Sequence, residues 1–477
     1  MIIRAAQAWL GDHFVNDVLI ETDASGRISR IDTGLDTAAD GLLDQQSSDG
    51  IAGRVASASE RIETTGEAST VTRNENSRLK AELGLSLGLV VPGFGNAHSH
   101  AFHRVLRGRT HDNGGDFWQW RTSMYAAADM LNPDSYRDLA TRVFSEMVAC
   151  GYTAVGEFHY VHHQPDGTPY PPAHGMELAL ADAAEAAGIR LVLLDTCYLT
   201  GGIGKPPEPS QRRFSDGSAS AWLDRWARLR DALEGRPLVT LGAAIHSVRA
   251  VPREAMAEIA RELPADVPLH IHLSEQPQEN ADSLAAYGRT PTALLAEVGL
   301  LSARLNAVHA THLTDDDIRM LGEASVGVVM CPTTEADLGD GIGPARRLAD
   351  AGAHLSIGSD QNAVIDPLLE LRGLEYGERL SSGQRGRFSP EQLWQIGGAG
   401  GYRALGLDSG AGGTSTGIAV GEYCDLVELD PSSLRTGGAE PAQLPMVATA
   451  SDVTRVIVGG RVVSPERWSS GPRAFGP

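Results

Sequence analysis

His98-Ser99-His100 sets two imidazoles two residues apart at the end of the apolar run Leu89-Val90-Val91-Pro92-Gly93-Phe94. On a β-strand such residues project to one face, so both rings can reach a single metal ion at a strand end. One such pair among 15 histidines carries little weight by itself. What matters is how the later apolar runs end. His246 follows Gly242-Ala243-Ala244-Ile245, His272 ends Leu269-His270-Ile271, His309 ends Asn306-Ala307-Val308, and Asp360 follows Ser356-Ile357-Gly358-Ser359. Three imidazoles and one carboxylate with an open position suit a catalytic zinc or a similar divalent ion. Such an ion lowers the pKa of water from about 15.7 toward 7, so the chemistry implied is metal-assisted hydrolysis. Glu275, three residues beyond His272, leaves its strand to face the ion from a loop, where a carboxylate can shuttle protons. His270 shares strand parity with His272, and spacing alone allows either as the ligand.

Residues collected from many strand ends need a scaffold that points those ends at one place. In a (β/α)8 barrel the catalytic groups come from the C-terminal ends of several strands. From Pro92 to Leu407 the chain alternates apolar strand-like runs with Ala-, Leu- and Arg-rich helical stretches, the pattern of repeated βα units. Candidate strands are 153–158, 190–194, 239–244, 267–273, 305–309, 326–330 and 354–358. An α/β fold with a TIM-like barrel is expected; a doubly wound open sheet is the fallback, with no G-x-G-x-x-G turn to support it. Short β-like runs near both termini, as in 16–22, 26–31, 425–430 and 453–463, predict a small β-sandwich domain built from the two ends. The expected division is residues 1–91 for its N-terminal part, 92–408 for the barrel and 409–477 for its C-terminal part. Within the first part, residues 34–88 are rich in Ser, Thr, Glu, Asp and Ala and read as an exposed, flexible insertion.

Composition narrows the class of partner. The formal net charge is −21, which argues against nucleic acid or an anionic membrane. A local basic pocket for a small anion is compatible with it. Four scattered cysteines, Cys150, Cys197, Cys331 and Cys424, show no C-x-x-C spacing, so a cysteine zinc knuckle or dense disulfide framework is not expected. The N-terminal residues lack the pattern of a signal peptide, and no run approaches the roughly 20 apolar residues that span a bilayer. A cytoplasmic protein is expected.

The chain resembles the amidohydrolase superfamily and, within it, the formimidoylglutamate deiminases. The resemblance is carried by Pro92-Gly93 through His98-Ser99-His100-Ala101-Phe102, Phe117-Trp118-Gln119-Trp120-Arg121 with Met124-Tyr125, Gly156-Glu157-Phe158-His159-Tyr160-Val161-His162-His163, Gln211-Arg212-Arg213-Phe214, His246-Ser247-Val248-Arg249-Ala250-Val251, His270 through Gln276, His309-Ala310-Thr311-His312 and Gly358-Ser359-Asp360. His-x-His with a later Asp identifies only the superfamily; the Glu-Phe-His-Tyr-Val-His-His and His-Ser-x-Arg-Ala-Val strings are narrower. The resemblance implies one zinc per subunit held by His98, His100, His272 and Asp360. It implies proton handling by Glu275 and His309, with Asp360 taking a proton from the attacking water. It leaves His270, His312, His159, His162 and His163 as supporting or loop residues.

The implied substrate is a small dicarboxylate, N-formimino-L-glutamate, hydrolysed to N-formyl-L-glutamate and ammonia in histidine degradation. Two carboxylates call for guanidinium groups in fixed fork geometry. Arg121 and Arg249 match the family positions that grip them, with Tyr160 and His246 adding hydrogen bonds. His103 stands where the family commonly has Gln, and a histidine can still donate to a carboxylate. The resemblance also suggests a homodimer. Two rival readings stand beside this one: a related deaminase acting on another amidine, guanidino compound or aminated ring, and a barrel without metal or catalysis that serves as an interaction scaffold.

Overall fold

A computed structural model describes residues 1–34, 84–109, 117–408 and 417–463. Strands β1 (Ile2–Leu10), β2 (His13–Thr22), β3 (Ile28–Thr33) and β4 (Leu85–Pro92) precede eight strands of a closed barrel. The barrel strands are β5 (Phe94–Ser99), β6 (Tyr152–His159), β7 (Arg190–Cys197), β8 (Val239–Ile245), β9 (Leu269–Leu273), β10 (Leu305–His309), β11 (Gly327–Met330) and β12 (His354–Ile357). All are parallel and follow one another around the ring in chain order. Strand β7, Arg-Leu-Val-Leu-Leu-Asp-Thr-Cys, is buried along its whole length. Parallel strands covered by helices outside and filled by side chains inside must be apolar on both faces, which is why the runs were continuous and not alternating.

Helices between the strands begin at identifiable caps. Asn132 and Ser135 form a capping box at the start of Pro133–Ala149, and Thr314 caps Asp315–Glu323, whose first turn carries three aspartates. Side-chain oxygens there satisfy exposed N–H groups, and the acidic turn complements the helix dipole.

Strands β13 (Leu426–Leu429), β14 (Val453–Val458) and β15 (Arg461–Val463) join the first four in one seven-stranded sheet of order β15-β14-β13-β4-β1-β2-β3. The two-layered core expected of a β-sandwich is made by this single sheet curling on itself. Its far edge returns to the middle, where Arg27 bridges Tyr423 just before β13. Ile3, Ile20, Val90, Leu426 and Ile457 fill the enclosed space. Most of the polar segment 34–88 lies outside the described residues, but residues 85–88 are not part of an insertion. They begin β4, whose alternation Leu85-Ser86-Leu87-Gly88-Leu89 places Leu87 and Leu89 in the core.

The apolar run leading to His98 is likewise two strands and not one. It leaves the small sheet at Pro92 and enters the barrel at Phe94. Gly93 makes the switch, at a point where a β-carbon would collide with the Thr153 side chain. The units are further joined by Arg190 of β7, which donates from Nε and Nη2 to Asp425 at 2.6 and 3.1 Å. Barrel closure is sparse by comparison. Strand β12 pairs with β5 at Ile357–Asn96, and one further bridge joins Ser99 to Asp360. Gly358 permits that approach, since a β-carbon there would meet the His98 backbone oxygen at 2.8 Å. Among the described residues, no helix is long and apolar enough to cross a membrane.

Candidate active site

At the C-terminal end of the barrel the side chains of His98, His100 and His272 converge. Nε2 of His272 lies 3.2 Å from Nε2 of His98 and 3.3 Å from Nε2 of His100. Oδ1 of Asp360 lies 3.4 Å from His98 Nε2 and 3.6 Å from His100 Nε2. Nδ1 of His100 donates to the Phe158 carbonyl at 2.8 Å and Nδ1 of His272 to the His246 carbonyl at 3.0 Å. Those bonds fix the tautomer and turn the Nε2 lone pairs of both rings inward. Burial pushes all three imidazoles below their ordinary range, His100 to about 3, so they stand neutral. Converging lone pairs and a carboxylate repel one another unless a cation sits between them. An ion with bonds of about 2.0–2.1 Å in tetrahedral geometry separates its donors by roughly 3.3 Å. The donor set therefore fits a divalent metal, with spacings already near those of a coordinated site.

His270, which parity left open, is turned away. Its Nε2 donates to the Ala404 carbonyl at 2.9 Å, one layer below the cluster.

Asp360 is held by residues that strand-end reasoning did not single out. Asn362 Nδ2 is within reach of Ser99 Oγ, the His100 carbonyl and the Asp360 carbonyl at 3.1, 3.0 and 3.2 Å. Its Oδ1 accepts from Ser359 Oγ at 2.6 Å, and Ser359 is bound in turn by Asn96. Asp360 and Asn362 have φ of +41° and +57°, a region sparsely populated by non-glycine residues. Glu157 grips the same segment from the other side, accepting from Ser99 Oγ at 2.7 Å and Ala101 N at 2.6 Å.

Glu275 and His309 border the cluster. His309 Nε2 lies 3.9 Å from Glu275 Oε1 and 3.8 Å from Asp360 Oδ2. Burial disfavours charge on His309, but the hydrogen bond with Glu335 and the carboxylates of Glu275 and Asp360 outweigh it and raise the imidazole to about 10. Glu335, from the helix Pro332–Leu338, is a functional neighbour that the sequence reading missed. Its one signal in the sequence is an acid five residues past the end of β11.

Arg121, Tyr160, His246, Arg249 and His103 gather beside the cluster. Arg121 Nε donates to Tyr125 at 2.6 Å and its Nη2 to Tyr198 at 3.4 Å, while Gln211 donates to both phenols. Arg249 is paired with Glu275 and Glu279. Burial first, then Arg249 and Arg121, depress His246, which places that ring in the field of both guanidinium groups. His103 is buried, with Nε2 3.1 Å from Tyr160 Oη and its ring 4.4 Å from that of His100. Tyr125 and Gln211 belong to strings noted in the sequence, yet their contact with Arg121 had no linear signal.

Four further histidines from the strings noted in the sequence support the architecture. His312 donates to the Asp340 carbonyl, and His163 pairs with Asp216. His159 and His162 cluster about buried Glu177, with Glu177 Oε1 2.8 Å from His162 Nδ1. That group could hold an ion by distance, but the Arg225 guanidinium already stands 3.1 Å from the same oxygen and 2.9 Å from Asp195. A cation is thus built in.

Comparison with known proteins gives this geometry its lineage. Residues 89–463 match the model of the amidohydrolase family. A formimidoylglutamate deiminase of Pseudomonas aeruginosa is 39% identical over 364 residues, covering 74% of this chain and 79% of that protein. A 5-methylthioadenosine/S-adenosylhomocysteine deaminase of Haloarcula marismortui is 28% identical over 392 residues, covering 81% and 83%. Among solved structures, an amidohydrolase from Brucella melitensis superposes with a TM-score of 0.80 at 31% identity, covering 97% of this chain and 94% of that one. The family match spans the eight strands that bring His98, His100, His272 and Asp360 together, and on that ground this chain belongs to the amidohydrolase family.

Proposed function

We propose that this protein hydrolyses N-formimino-L-glutamate to N-formyl-L-glutamate and ammonia, with a single zinc ion held by His98, His100, His272 and Asp360. The observation that carries the substrate is the pair of part-buried guanidinium groups, Arg121 and Arg249, set beside the histidine and aspartate cluster in a protein of net charge −21. A neutral ring has no use for two such groups, whereas a dicarboxylate needs them. The name and 39% identity of the Pseudomonas relative support the same reading.

When bound, the ion supplies Lewis acidity and lowers the pKa of water. The chain's own residues do the rest. Arg121, steadied by Tyr125 and Tyr198, and Arg249 orient the two carboxylates, and Tyr160, His103 and His246 line the path between them and the cluster. Asp360 accepts a proton from the attacking water. Glu275 and His309, 3.9 Å apart, carry a proton to the amidine nitrogen, which leaves as ammonia while the other carbon–nitrogen bond is kept.

An assay of ammonia release by the zinc-loaded protein tests this. Release from N-formimino-L-glutamate is expected, with kcat/KM falling about 30- to 1,000-fold in Arg249→Met, the loss that follows removal of a buried charge partner. Release from an aminated purine and none from N-formimino-L-glutamate overturns the proposal.

A further inference from the structure

The guanidinium of Arg249 is claimed by two carboxylates of the protein itself. Nη2 donates to Glu275 Oε2 at 3.1 Å, and Nε lies 3.0 Å from Glu279 Oε2. The two partners are held differently. Glu279 is almost fully buried, stands in the first turn of the helix Pro277–Tyr287, and accepts the Ser274 N–H on its other oxygen at 3.0 Å. Helix position and backbone bond both favour its staying in place. Glu275 sits on the loop between β9 and that helix, and its second oxygen faces His309. One oxygen of Glu275 therefore points at the proton-handling imidazole while the other is tied to the group that reads the substrate.

Charge makes this arrangement competitive. One guanidinium faces two carboxylates here, and the His309 imidazolium beside Glu275 is already shared with Glu335 and Asp360, so a third carboxylate entering the same space adds a negative charge with no spare cation to meet it. A buried carboxylate without its cation is costly. An arriving anion must take the place of one of the two, and Glu279 is anchored. We infer that a substrate carboxylate replaces Glu275 at Arg249, and that the released Glu275 turns with His309 toward the amidine nitrogen, so that filling the carboxylate site and freeing the proton carrier are one event. The inference rests on the reading of Arg249 as a carboxylate grip. Only ion pairs are exchanged in this step. Its consequence is that an amidine without a carboxylate is disfavoured in kcat as well as in binding, because Glu275 stays paired.

The test uses the zinc-loaded protein and N-ethylformamidine, which carries no carboxylate, with and without propionate. Propionate is expected to accelerate ammonia release several-fold. Arg249→Met is expected to exceed the parent on N-ethylformamidine and to ignore propionate. Glu279→Gln leaves Arg249 to Glu275 alone, and a larger propionate effect is expected. Equal rates for the parent and Arg249→Met on N-ethylformamidine, with propionate acting only as an inhibitor, overturn the exchange while leaving the substrate assignment intact. Unchanged kcat/KM of Arg249→Met on N-formimino-L-glutamate overturns the assignment itself. A crystal structure of the parent with glutarate gives a readout independent of any variant: Arg249 and Glu275 are expected beyond 4 Å apart, and the 3.1 Å pair persisting beside bound glutarate refutes the exchange.

Discussion

Nδ1 of His309 lies 3.4 Å from Oε1 of Glu335, and both side chains are buried. The pair orients the ring so that Nε2 faces Glu275 and Asp360. It also helps to hold the proton on His309, whose pKa is raised to about 10 against the opposing effect of burial. Glu335→Gln removes one of the charges that raise it, so the imidazolium is lost at lower pH. The alkaline limb of the kcat/KM profile should move down by about one pH unit. A bound dication lowers the absolute position of the limb in both proteins, so the difference between them is the quantity to measure. Superimposable profiles would show that Glu335 does not tune His309.

The convergence of three neutral imidazoles on Asp360 ties folding stability to the ion. Treatment with a chelator should abolish ammonia release, and added zinc should restore it. The unfolding midpoint should also fall, since an ion at 100 times its Kd stabilises the folded state by about 2.7 kcal/mol. Asp360→Asn should lower kcat by about 100- to 10,000-fold, through loss of its proton acceptance and weakened metal binding. Full activity after exhaustive chelation, with no metal found by elemental analysis, would remove the metal from the mechanism.

Asn362 bonds Ser99, His100 and Asp360 through a single amide. Asn362→Ala leaves buried acceptors without their donor, at a cost of about 1–3 kcal/mol. Zinc affinity, measured by chelator competition, should fall with it, because Asp360 keeps its backbone bonds to His98 and His100 but loses the side-chain amide that braces that turn. A variant with native stability and native zinc affinity refutes this role.

A stability effect without a catalytic one is expected at the opposite end of the barrel. Asp425 is bound twice by Arg190 and also accepts from Tyr402 and the Gly459 N–H. Asp425→Ala strands a buried guanidinium and should cost about 3–5 kcal/mol. Urea unfolding measures the cost, and kcat/KM below the transition should stay near that of the parent.

Much of this molecule is legible in its sequence. The seven later barrel strands stand where continuous apolar runs stood, because strands buried on both faces have little choice of residue. The histidines and aspartate that end those runs do meet. Asn362, Glu335 and Glu279 were not visible, because each lies beyond a strand end and its partners are brought near only by the closed ring. Gly93 hid a change of sheet inside one apolar run, since hydrophobicity records burial and not which core a residue is buried in. Leu85 and Leu87 show the reverse: a two-residue alternation was present but was submerged in a long polar stretch.

The seam between β12 and β5 has an implication for the order of assembly. His98 and Asp360 stand at the ends of the first and last strands of the ring to be synthesised, and the Asp360 backbone closes it by donating to the His98 carbonyl and accepting from the His100 N–H. Closing a loop of that length is entropically expensive, and the seam offers few strand bonds in return. The ion's binding site does not exist until the seam has formed, so binding would capture the closed ring and slow its reopening. Chelation should therefore raise the unfolding rate more than it lowers the refolding rate, making the metal a determinant of the protein's lifetime as well as of its chemistry.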